Sequence, residues 1–336
     1  LVAVTLACSA CGSSSQGRSG SAPSGVGKPS VVVLGDSIAS GEGIAYGYTY
    51  DSSSSVLRWQ GGVASPVWDP PYANCHVTEQ AYGDVVAKAL RANLANFACT
   101  GATYSNGIVG ARTVGGVVYR PAELGDWATG QELNAAYDRA SPDVVLISLG
   151  ADDIRFSQIA EDCIVASVLD PAVCTASDPG QTVQSDMFAQ LPTLGANYRS
   201  LVAAIQARGA RAHKIPYIVF TTYPNPLPAP GADIDVTRCP DSAHLSSAQI
   251  SYLSSLFEVL KGVIANSVGG EKGVSVADVS RAFAGHQLCS LDPWAYGPSV
   301  LIFSNPQSQA PYHPTPAGQE AIAHKVLSVL PAKFKG

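Results

Sequence analysis

The sequence predicts an α/β protein whose core is a mainly parallel sheet with helices on both faces. Two observations carry this. Short apolar runs alternate with helical stripes along the chain without a break in the theme, and polar or Gly-rich segments follow the leading strands. Strands alternating with amphipathic helices pair in parallel through right-handed crossovers. Their carboxyl ends form the rim at which such folds bind ligands.

In chain order, Leu1 to Ala7 is an apolar run too short to span a bilayer, and it ends in small residues at Ser9-Ala10-Cys11. With no charged segment ahead of it, the stretch 1–11 reads as a truncated signal peptide. Cys8-Ser9-Ala10-Cys11-Gly12-Ser13 resembles the lipobox of bacterial lipoproteins, in which the cysteine becomes the first mature residue and carries lipid. Cys11 is the better lipidation candidate because Gly and Ser follow it; Cys8 and an ordinary cleaved signal are the alternatives. Attached lipid would be a double-acyl anchor, which is what stable membrane retention requires. Residues 12–29, rich in Ser and Gly, read as a flexible tether. Residues 30–336 read as one domain.

Five apolar runs bounded by turn residues are the expected strands: Val31 to Leu34, Leu94 to Ala98, Val144 to Leu149, Tyr217 to Thr222 and Val274 to Val276. Leu191, Leu194, Tyr198, Leu201, Val202 and Ile205 recur at spacings of three and four, as do Leu253, Leu256, Phe257, Leu260, Val263 and Ile264. Each set makes one apolar stripe on a helix. Ser246 with Gln249 predicts a capping box for the second of these helices. Thr315 followed by Pro316 predicts a capped start for the last helix, which buries Ile322, Val326, Val329 and Leu330. Ile44 to Gln80 is a long connection carrying Tyr46, Tyr48, Tyr50, Trp59, Trp68 and Tyr72. It reads either as a wall of a binding pocket or as a loop packed on its own aromatics. Val165 to Thr182 reads as a second rim loop.

Composition narrows the function classes. With 336 residues, 46% hydrophobic and 14% charged, the chain can bury a large core. A formal charge of -6 and only 20 Lys plus Arg, without a basic run, exclude a phosphate-backbone partner, so no nucleic acid is expected. Apart from Cys8 and Cys11 there are six cysteines, with no Cys-x-x-Cys pair and no clustering with His at zinc spacing. No metal is expected, and disulfides in an oxidising compartment are. Six cysteines allow about 15 connectivities, and the sequence does not choose among them. Sequential pairing is the simplest: Cys75 with Cys99, Cys163 with Cys174, and Cys239 with Cys289.

The chemistry starts at Ser37, where the first strand runs into Gly35-Asp36-Ser37-Ile38-Ala39-Ser40-Gly41. A small hydroxyl at a strand edge, flanked by Gly, is how a nucleophile is held rigid and exposed, although turns also use these residue types for local reasons. The next strand ends in Cys99-Thr100-Gly101-Ala102-Thr103, the third in Gly150-Ala151-Asp152-Asp153, and His313-Pro314 precedes the last helix. All four segments are expected on one rim. His313 is the candidate base because the following Pro and cap fix its backbone; His286, in a Gly- and Cys-rich loop, is the alternative.

These four blocks in this order resemble the SGNH (GDSL) hydrolases, and most of all the secreted bacterial esterase and lipase branch with three disulfides. The likeness runs from about Ser30 to the end of the chain. It implies a flavodoxin-like three-layer α/β/α sandwich, ester hydrolysis through an acyl-enzyme on Ser37 with His313 as general base, and no cofactor. The implied oxyanion donors are the Ser37 and Gly101 amides and, in the family, an Asn side chain.

This chain departs from that pattern twice. Asp152 stands where the family has Asn, and an ionised carboxylate has no proton to donate. Two like charges about 4 Å apart repel by about 4 kcal/mol at an effective dielectric near 20, enough to cancel one good donor. Burial next to Asp153 would raise its pKa, whereas Arg155 would hold it ionised, and the sequence does not choose between the two. The second departure is Ala310, where the family usually places the Asp that orients the histidine. The Ala310 main-chain carbonyl is the expected substitute, giving a Ser-His dyad, with Asp292 as the alternative.

The expected protein is thus a monomeric ester hydrolase, extracellular or anchored to the cell surface by lipid, acting on a small-molecule, lipid or other acylated ester. A second reading follows from Asp152 and Ala310: a catalytically degenerate protein of the same fold that binds a glycan or lipid.

Overall fold

The computed structural model describes residues 28–44, 48–51, 56–59, 75–120, 140–156, 158–159, 163, 174, 182–229, 245–297 and 312–334. Strands are β1 (Ser30–Gly35), β2 (Tyr48–Asp51), β3 (Val56–Trp59), β4 (Asn93–Asn96), β5 (Arg112–Val114), β6 (Val117–Arg120), β7 (Val144–Ser148), β8 (Tyr217–Thr221) and β9 (Val274–Ala277). Helices are α1 (Ser37–Ser40), α2 (Tyr82–Ala89), α3 (Thr182–Arg211), α4 (Ser247–Val268) and α5 (Pro316–Val329).

Five of these strands form one parallel sheet in the order β4-β1-β7-β8-β9. They are the five apolar runs of the sequence. Counted along the chain the order is 2-1-3-4-5, the flavodoxin-like arrangement, in which the chain reverses its direction of travel at the first strand. Sheets of this order bind ligands at that switch point, which here lies at the carboxyl ends of β1 and β7.

Helices cover both faces. In a parallel sheet, residues paired across strands point to the same side, and successive residues alternate. Val33, Leu146 and Val219 therefore share one face, and Leu34, Ile147 and Phe220 share the other. On the first face α2 packs so closely that a Cβ on Gly83 would lie 2.5 Å from Val33 Cγ2. On the second, Tyr198 of α3 meets Phe220 edge-on at 5.5 Å. This double cover explains why every residue of β1 and β7 is buried and why both read as unbroken apolar runs. Caps hold as the residue types dictate. Ser246 and Gln249 form the capping box of α4, and Thr315 accepts from the Gly318 amide to open α5 at Pro316.

Two features differ from the sequence reading. The connection after β1 contains α1, only four residues long, and the antiparallel hairpin β2–β3; a second hairpin, β5–β6, follows the Gly101 turn. Edge strand β4 ends at Asn96 rather than Ala98, yet the amides of Phe97 and Cys99 still donate to Val33 and Gly35 of β1. Cys75 is bonded to Cys99 and Cys163 to Cys174. Cys289 is also disulfide-bonded. Cys8, Cys11 and Cys239, with residues 1–27 of the signal and tether segments, lie outside the described residues. No helix among the described residues is long and apolar enough to cross a membrane.

Candidate active site

Ser37 owes its position to a short, tightly held turn. Gly35, at φ +135°, is required because a Cβ there would fall 1.9 Å from the Ser148 carbonyl oxygen of β7. Asp36 then donates its amide to that same carbonyl at 2.9 Å and accepts the Ile38 amide at 3.1 Å, capping α1. From Ser30 to Gly43 every residue is buried except Ser37. The chain thus presents one hydroxyl to the rim and packs the rest. As the first residue of the helix, Ser37 has an amide with no intrahelical partner.

His313 reaches this hydroxyl from the other end of the chain: its Nε2 lies 2.8 Å from Ser37 Oγ. The segment bearing it is fixed by a short antiparallel pairing. The Tyr296 amide donates to the His313 carbonyl at 2.9 Å, Tyr312 donates to Tyr296 at 2.8 Å, and Thr315 donates to Trp294 at 2.9 Å. His286, the alternative base, is engaged elsewhere. Its Nδ1 lies 2.8 Å from the Asp292 carbonyl, and its ring stacks on Trp294 at 3.7 Å. Asp292 is likewise held by His286 and by the Trp294 indole. Ala310 lies outside the described residues.

The Gly101 turn is tied to β1 and to the Cys75–Cys99 disulfide, both of whose cysteines are fully buried. Cys99 donates to Gly35 at 2.9 Å and Thr100 to Cys75 at 3.2 Å. Gly101 takes φ +67°, and a Cβ on it would meet Arg112 Nη2 at 2.4 Å. Among the described residues, the Gly101 amide carries no hydrogen bond.

Asp152 follows β7 on the same rim and is half-buried. Its carboxyl also lacks a hydrogen bond among the described residues. Burial and the neighbouring Asp153 push it up to about 7, against the pull of Arg112. The cation acting on it is therefore Arg112 and not Arg155, whose exposed guanidinium turns to Gln158 at 2.9 Å. Asp153 accepts the Tyr104 amide at 3.0 Å and is itself pushed up by burial to about 6. Asp36, 1% exposed, stands well above the usual carboxylate range because of burial, reinforced by Asp152.

Three residues that bind this site together are assigned no role by the sequence, although Tyr223 lies in the stretch Thr221 to Pro226 that shares the family likeness. Tyr223 donates to Asp36 and accepts from the Ala151 amide at 3.1 Å. Gln319 of α5, fully buried, accepts from the Tyr82 amide at 2.9 Å and donates to the Ile38 carbonyl at 3.1 Å. Arg112 donates to the carbonyls of Thr100 and Thr113 at 3.0 and 3.2 Å. Each acts between segments far apart in the chain or across a turn, where no local pattern announces a partner.

A hydroxyl and an imidazole in hydrogen-bond contact, with the Ser37 and Gly101 amides carrying no hydrogen bond among the described residues, can carry out nucleophilic acyl transfer. The family model described as GDSL-like lipase/acylhydrolase matches residues 33–321. Among solved structures, an extracellular lipase from Streptomyces rimosus is 20% identical with a TM-score of 0.58, over 90% of this chain and 100% of that one. Phospholipase A1 from Streptomyces albidoflavus NA297 is also 20% identical, with a TM-score of 0.59 over the same shares. No curated protein matches the chain. At that identity the two structures establish a common fold.

Proposed function

The chain belongs to the GDSL-like lipase/acylhydrolase family, and from that premise we infer that it is a carboxylic ester hydrolase working through an acyl-enzyme on Ser37. The observation that carries the reading is the 2.8 Å contact between His313 Nε2 and Ser37 Oγ. His313 takes the hydroxyl proton as Ser37 Oγ attacks the ester carbonyl. The oxyanion that forms is met by the Ser37 and Gly101 amides; one such donor is worth about 2.7–4 kcal/mol of barrier. Collapse expels the alcohol, which receives the proton from His313. Water, activated by the same imidazole, then attacks the acyl group and releases the acid.

Asp152 is a conditional third donor. Protonated, it offers an O–H to the oxyanion; ionised, it offers only charge. With its carboxyl pushed up to about 7, both forms are populated near neutrality. The Ala310 carbonyl is proposed to accept the His313 Nδ1 proton and so fix the tautomer.

The two disulfides support folding in an oxidising compartment, and hence secretion, with lipid on Cys11 or Cys8 as the anchor if the segment 1–11 is processed in that way. Cys239 is proposed as the partner of Cys289. The names of the two Streptomyces enzymes, a lipase and a phospholipase A1, support a lipid ester as substrate. The test is hydrolysis of a short p-nitrophenyl ester by wild type and by Ser37→Ala. A loss of about a thousandfold or more is expected. A wild type no faster than the variant would instead favour the binder of glycan or lipid.

A further inference from the structure

A carboxyl on the rim of an oxyanion site is a liability whenever it loses its proton, because the transition state adds negative charge beside it. The groups acting on Asp152 are Asp153 next to it, Asp36 at the cap of α1, and Arg112 at the start of β5. Arg112 is the cation of the set. Its placement is built: Nε donates to the Thr100 carbonyl at 3.0 Å and Nη1 to the Thr113 carbonyl at 3.2 Å. Nη2 presses against Gly101, so closely that a Cβ there would come within 2.4 Å of it. The guanidinium is thereby held against the residue whose amide is proposed as the second oxyanion donor. Its fork geometry lets one guanidinium hold two carbonyls while lying against Gly101.

We propose that Arg112 is the charge partner of Asp152 at the oxyanion site, offsetting the carboxylate so that the site accepts a developing negative charge after Asp152 has ionised. The Asp152–Arg112 couple then offsets the carboxylate's charge without replacing the lost O–H donor, so above the pH at which the carboxyl loses its proton the rate falls, but by less than it would without Arg112. Arg112 touches no reacting atom in this scheme. It is a positioning and compensating residue, acting through Asp152 and the Gly101 turn. The inference rests on the ester-hydrolase reading.

The test is a double-mutant cycle with Arg112→Gln and Asp152→Asn, read as kcat and KM on p-nitrophenyl butyrate from acid to alkaline pH. Arg112→Gln removes the pull that favours the carboxylate, so Asp152 keeps its proton to higher pH than in wild type; above that raised midpoint kcat is expected to fall at least about tenfold below wild type with little change in KM, and to recover as the pH falls and Asp152 regains its proton. Adding Asp152→Asn to it is expected to restore kcat to within about threefold of Asp152→Asn alone, since the charge needing an offset is gone. Arg112→Lys, which keeps the charge without the fork, is expected to retain most of the alkaline rate and covers the case in which Arg112→Gln does not fold. An Arg112→Gln defect that Asp152→Asn leaves in place, or one equal at all pH values, would overturn the proposal and reduce Arg112 to a brace for the Thr100–Gly101 turn. A wild-type rate independent of Ser37 would remove the hydrolase reading itself; a Ser37-dependent rate indifferent to Arg112 removes only this inference.

Discussion

The hydroxyl of Tyr223 donates to the carboxyl of Asp36, 187 residues away in the chain, and accepts from the Ala151 amide at 3.1 Å. Asp36 caps the helix that Ser37 opens, and Ala151 precedes Asp152. One buried phenol therefore sets the spacing between the proposed nucleophile and the proposed conditional donor. Tyr223→Phe keeps the ring and leaves both partners unmatched, each at a cost of about 1–3 kcal/mol if no water replaces the hydroxyl. The expected result is a lower unfolding midpoint together with a kcat reduced by about tenfold and a KM near wild type. Denaturant unfolding and steady-state kinetics on the same preparations check it.

Asp152→Asn is expected to change the pH dependence of hydrolysis. Below about 7 the wild-type carboxyl carries a proton and matches the donor capacity of Asn; above it, that proton is lost. The ratio of variant to wild-type kcat should therefore rise as the pH passes upward through about 7. His313 is common to both proteins, so its contribution cancels in the ratio. A ratio that is flat across this range would mean that the acid is not aimed at the oxyanion.

Gln319 joins three helices. Its carbonyl caps the Tyr82 amide at the start of α2, where Ala81 has no side chain able to do so, and its amide holds the Ile38 carbonyl of α1. Gln319→Leu fills the volume and orphans both backbone groups, so unfolding free energy should fall by about 2–4 kcal/mol. Because α5 follows directly on His313, the proposed dyad should loosen as well, and kcat should fall beyond what a stability loss alone explains. Kinetics under conditions where the variant is fully folded separate the two effects.

The centre of the sheet was legible because β1, β7 and β8 are buried almost throughout, so burial alone wrote a continuous apolar run at Val31, Val144 and Tyr217. The capped starts of α4 and α5 were legible because Ser246, Gln249, Thr315 and Pro316 act within one turn of themselves. Hairpins β2–β3 and β5–β6 were not, since strands of three or four residues are too short for a period-two apolar alternation to stand out. At the rim, Ser37, Gly101 and His313 could be read from Gly, Pro and strand context. Arg112, Tyr223 and Gln319 could not, because their partners are main-chain atoms or carboxyls brought near only by the fold. Arg155 misled for the same reason: nearness in sequence to Asp152 gave it a role that Arg112, folded back over Gly101, takes instead.

The most direct measurement of the central claim is peptide-level mass spectrometry after treatment with a serine-directed fluorophosphonate, on wild type and on His313→Gln. A single adduct on Ser37, formed at least about a hundredfold more slowly when His313 is replaced, is the predicted result. Labelling of another residue, or labelling of Ser37 at the same rate without the imidazole, would contradict the account.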